Sequence, residues 1–131
     1  MKFMVLIYND PTLVDAMPAG RMDADLRTCF DHCDELTREG HLLDSQMLAS
    51  PATARSVRVR QGQRVVSDGP FMESKEMLGG FNLIEADDMD HALRIAAEFP
   101  WAESGCIEVR PVEDLDAVRQ RVRAAGAAAS R

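Results

Sequence analysis

Residues 2–8, Lys-Phe-Met-Val-Leu-Ile-Tyr, make a nearly unbroken apolar run that stops at Asn9-Asp10-Pro11. A short apolar run with β-branched members, bounded by turn formers, predicts a buried strand. Side chains alternate along a strand, so Phe3, Val5 and Ile7 share one face and Met4, Leu6 and Tyr8 the other. Both faces are apolar. Such a strand belongs inside a sheet, and something has to cover each side of it.

The rest of the chain supplies one cover. Two prolines and Gly20 predict a loop over 11–20. Met22, Leu26, Cys29, Phe30, Cys33 and Leu36 recur at spacings of three and four, predicting an amphipathic helix over 21–39 that Gly40 ends. Strands are expected at 42–48 and, by alternation, at Val57 to Arg60, with Gln61-Gly62-Gln63 turning into a return strand at 64–67. A connection over 68–80 follows, with Gly79-Gly80 as its hinge, then a strand at 81–86. Asp87 or Asp88 caps a helix that carries Met89, Leu93 and Ala96 and ends at Pro100. A last strand at 106–110 precedes a short helix from Leu115 with a fraying alanine-rich tail.

The order is β-α-β, a hairpin, β-α-β, then a helix. This is α+β, the ferredoxin-like split βαβ arrangement with an inserted β-hairpin. The domain spans 1–112, and 113–131 forms the C-terminal helix and tail. Two helices cover one sheet face only, so the other apolar face calls for a partner. A second copy in a closed homodimer is the simplest partner.

Composition narrows the function classes. A net charge of −7 lacks the basic footprint of a nucleic-acid binder. The N-terminal run is too short for a signal peptide, and no stretch reaches membrane-spanning length. Cys29, Cys33 and Cys106 cannot all pair, which fits a reduced, cytoplasmic setting. No dinucleotide, Walker or nucleophile-elbow pattern occurs, so no cofactor is expected. Cys29, His32 and Cys33 on one helix match no zinc spacing, so no metal is expected either.

Asp68 is the candidate acid/base group, at a strand end before Gly69-Pro70; the alternative is an Asx turn. Tyr8 at the end of the first strand either orients a ligand or makes a structural hydrogen bond. His32, at the edge of the helical stripe, is either a second acid/base group or a boundary residue. His41 and His91 are expected to be exposed. Phe71, Glu73, Lys75 and Asn82 are the candidate substrate contacts; for Glu73 and Lys75 the alternative is a solvated charge pair. Arg55, Arg58, Arg60 and Arg64 either bind an anion or protect a sheet edge.

Several segments carry a resemblance. They are Met1 to Tyr8, Pro51-Ala52-Thr53-Ala54 with Val57-Arg58, Asp68-Gly69-Pro70-Phe71-Met72-Glu73-Ser74-Lys75-Glu76 with Leu78-Gly79-Gly80-Phe81, and Ile107 to Val112. Together these resemble the YCII-related family, in its Asp-Gly-Pro-Phe (DGPF) branch. The resemblance implies a dimeric α+β barrel and a largely unassigned activity. One branch is described with a His-Asp pair, the His near the start of the first helix. Arg21-Met22-Asp23-Ala24-Asp25 has no His there, and Asn82 stands where many relatives carry an aromatic residue. The leading expectation is a cofactor-independent isomerase or lyase that moves a proton on a small organic acid or lactone near the dimer interface. The alternative is a non-catalytic binding or regulatory module, linked to sigma-factor-dependent transcription.

Overall fold

A computed structural model describes residues 1–129. Six strands and five α-helices run in the order β1 (Lys2–Asn9), α1 (Pro11–Asp15), α2 (Arg21–Arg38), β2 (Leu42–Met47), β3 (Arg55–Arg60), β4 (Gln63–Asp68), β5 (Met77–Glu85), α3 (Met89–Ala97), α4 (Trp101–Ser104), β6 (Cys106–Pro111) and α5 (Leu115–Ala129). A 3₁₀ turn at Pro51–Thr53 precedes β3. Four strands form one antiparallel sheet in the order β2-β5-β1-β6. That is the ferredoxin-like order, with β1 inside as its two-sided apolar run requires. The sheet of a single chain is open, not closed into a barrel.

Phe3, Val5 and Ile84 point to the helical side and join Leu36 of α2, Ala92, Ile95 and Ala96 of α3, and Phe99 in the core. Leu93, expected on the apolar face of α3, points outward instead. The buried stripe runs through Ala92, Ile95 and Ala96, the two alanines letting α3 sit close to the sheet. No helix is long and apolar enough to cross a membrane among the described residues.

Three local readings are corrected. Residues 11–15 are helical rather than loop: Asp10 accepts from the Thr12 N–H at 2.9 Å and Pro11 occupies the first turn, so the pair that stops β1 also caps a helix. Gly79 and Gly80 lie inside β5, not in a hinge. A Cβ on Gly80 would stand 2.7 Å from the Gln46 carbonyl oxygen, so glycine lets β2 and β5 approach there. The alanine-rich tail continues as helix through Ala129, and residues 130–131 lie outside the described part.

The hairpin β3-β4 stands apart as its own two-stranded sheet. Gln61 and Gly62 both take positive φ, 52° and 76°, the requirement of a two-residue type I′ turn. At its open end Arg55 faces Asp68 in register, and their side chains pair at 3.3 Å.

Candidate functional site

A cleft of about 380 Å³ opens between α2 and the β2 end of the sheet. Its α2 wall consists of Met22, Leu26, Cys29, Phe30 and Cys33. The facing wall comes from β2 and the turn after it, Ser45 to Pro51, and from Leu78 to Asn82 of β5. Asn9, Pro11, Val14 and Asp15 close one end, with Ile7 and Trp101 beside them. The local sequence explains why this space stays empty. The apolar stripe of α2 runs its whole length, yet Leu36 and His32 alone are buried. In the N-terminal half of the stripe Met22, Leu26 and Cys29 are half-buried, and Phe30 stays exposed beside the cleft.

The chemistry of the lining is simple. No Lys, Arg or His contributes, and Asp15 is the sole carboxylate in the wall. Burial, and then the neighbouring Cys29, push the Cys33 thiol up from the ordinary 9.0 to about 11. At neutral pH it is an uncharged thiol. Gln46 is held by Asp44 through its Nε2 at 3.1 Å, and Ser50 accepts from the Ala52 N–H at 3.2 Å.

Of the residues singled out from the sequence, Asn82 lines this cleft and the other six do not. The Asp68 side chain is 92% exposed and pairs with Arg55 rather than making an Asx turn. Tyr8 points to the opposite sheet face, its hydroxyl 3.5 Å from Glu108. His32 is buried between α2 and α3; its Nε2 meets the Ile95 carbonyl at 3.0 Å, and its ring stands edge-on to Phe99 at 4.6 Å. Its Nδ1 lies 3.5 Å from Glu98, outside the cleft. Phe71, Glu73 and Lys75 sit exposed in the connection 69–76, where Arg58 lies over the Phe71 ring at 5.7 Å. The structure therefore does not gather Asp68, Tyr8 and His32 into one constellation.

His41 and His91 are half-buried rather than exposed. Their rings meet edge-on at 5.0 Å, and the Nδ1 of His41 lies 2.9 Å from the Glu85 carbonyl. No group of three or more His, Cys, Asp or Glu side chains could hold a metal among the described residues.

The cleft residues missed from sequence are Ser45, Gln46, Leu48 and the two α2 cysteines, which the periodicity assigns to core packing. Cys29 and Cys33 do touch the core, and they also line the cleft.

Comparison with known proteins agrees with the architecture. An uncharacterized protein of Rhizobium meliloti (strain 1021) is 32% identical over 114 residues, covering 86% of this chain and 92% of the relative. The YCII-related domain matches residues 1–125. With the fold, this match over nearly the whole length places the chain in the YCII-related domain family.

Proposed function

We propose that the chain is a homodimeric small-molecule-binding protein whose cleft takes a neutral, largely apolar ligand. One observation carries the reading: a cleft of about 380 Å³ with apolar walls, a few neutral polar groups and no basic side chain. That volume suits a small organic molecule. An anion would leave water for a wall that holds a carboxylate and no counter-charge, which is costly. Of the two ligand types expected from sequence, this favours a lactone-like molecule over an organic acid.

Proton transfer through Asp68 is the weaker reading. A working acid/base group needs burial to bring its pKa toward neutrality, and Asp68 is solvated and paired with Arg55. The Asp68-Gly69-Pro70-Phe71 run supports placement in the DGPF branch, with a turn-forming role for the motif. Gly69 takes φ 88° and its N–H donates to the Ala54 carbonyl at 2.7 Å.

The dimer rests on the uncovered sheet face. Register places Met4, Leu6, Phe81 and Leu83 together there, with Asp44 at the β2 edge and Glu108 and Arg110 at the β6 edge. A two-fold copy would bury the apolar centre and bring Arg110 of one chain toward the acidic β2 edge of the other. Free cysteines at all three positions fit a reducing, cytoplasmic location.

Two measurements test the reading. Backbone amide NMR with caprolactone and with hydroxyhexanoate, its ring-opened anion, is expected to shift cleft residues with the ring only. Equal or preferred binding of the anion would overturn the neutral-ligand reading. Light scattering is expected to give 29 kDa, twice the 14.5 kDa chain, and a monomer mass for Leu6→Asp. A 14.5 kDa wild type would refute the dimer.

A further inference from the structure

One buried side-chain polar atom in the cleft has no hydrogen-bond partner among the described residues. Asn82 lies on the helix-facing side of β5, opposite Val5 in β1 and Ser45 in β2. It is 2% exposed and lines the cleft. Its Oδ1 is buried without a partner. Of the neighbouring polar groups in the wall, Ser50 accepts from the Ala52 amide, while Gln46, paired with Phe81 in register, is held by Asp44 on the other face of β2.

An unpaired buried amide costs folding free energy that a leucine of similar volume would save. The same amide is useful if a ligand completes it. A carboxamide offers an acceptor and donors on adjacent atoms. Its terminal torsion is broad, so either end can turn toward the cavity.

We infer that Asn82 is the polar anchor of the cleft and that the ligand presents a neutral N–H/C=O edge to it, as a lactam or secondary amide does. This rests on the cleft reading above and names the chemistry that the site selects. The amide edge pairs with both ends of the Asn82 side chain, while the apolar remainder lies against Met22, Leu26 and Phe30. A carboxylate could accept from Asn82 but would meet Asp15 with no cation in the wall. A lactone satisfies the donor end and leaves Oδ1 orphaned.

Caprolactam and caprolactone separate these cases, since an N–H replaces a ring oxygen at constant shape. Affinities are read from chemical shifts of cleft amides in the full-length chain, wild type against Asn82→Leu and Asn82→Ala. Caprolactam is expected to bind wild type roughly tenfold more tightly than caprolactone, about one net hydrogen bond, and the preference is expected to vanish in both variants. Two variants guard against one failing to fold. Equal affinities in wild type, or a preference that persists in a folded variant, would overturn the role of Asn82 and leave the cleft reading standing. If neither ring shifts cleft residues, the cleft reading falls and the anchor with it.

Discussion

Substituting Asn82 by leucine should make the ligand-free protein more stable, which is unusual for a buried position. The side chain is nearly inaccessible, its Oδ1 has no partner, and Phe3, Val5 and Ile84 pack in the same layer. An orphaned buried polar group costs about 1–3 kcal/mol, and leucine removes that cost at similar volume. Allowing for imperfect fit of the branched side chain, a gain of about 1–2 kcal/mol is expected. With an unfolding entropy near 2.1 cal/mol/K per residue, the melting temperature should rise by about 4–7 °C for a chain of this length. Differential scanning calorimetry on wild type and Asn82→Leu measures this directly. Saturating lactam should narrow the gap, because a tenfold tighter Kd lets ligand stabilise wild type by up to about 1.4 kcal/mol more than the variant. A ligand-free melting temperature that stays level or falls would refute the reasoning, since it would mean that the amide is satisfied in solution and serves the fold.

Other positions test the surrounding structure. Gly80→Ala drives a Cβ to 2.7 Å from the Gln46 carbonyl and should cost about 1–3 kcal/mol in urea denaturation, by separating β2 from β5. Asp68→Asn should leave both the melting temperature and caprolactam affinity unchanged, because the carboxylate is solvated and outside the cleft. The Cys33 thiol, raised from 9.0 to about 11, holds its proton more tightly folded than unfolded. Its contribution to stability is therefore intact below pH 9 and is lost as the pH climbs toward 11. In a Cys29→Ser, Cys106→Ser background, iodoacetamide should modify Cys33 slowly at pH 8, and faster modification than of a free thiol would contradict the shift.

The fold was legible because its rules are local and redundant. The β1 run demanded an interior strand, Asp87-Asp88 announced α3 by capping, with Asp88 as the cap, and Gln61-Gly62-Gln63 announced a hairpin. Where the reading slipped, one residue type served two local rules. Asp10-Pro11 stops a strand and also starts a helix. Gly79-Gly80 reads as flexibility, but in β5 its value is the absence of a side chain against Asn9 and the Gln46 carbonyl.

The candidate site was less legible, for a different physical reason. Chemistry-bearing residue types draw attention in a sequence, whereas a cleft is made by what fails to pack. Asp68 and His32 have other employment: one closes a hairpin with Arg55, the other holds α2 to the Ile95 carbonyl. The cleft lies between Met22, Leu26 and Phe30 of α2 and residues of β2 and β5, a space between elements that no single segment reveals. Asn82 interrupts the alternation of β5 at a position where Phe3, Val5 and Ile84 set an apolar standard for the layer. A polar residue at such a register position needs a partner within the chain or one brought to it. With the protein supplying none, the stability sacrificed at Asn82 is best accounted for by a ligand whose polar edge completes the amide.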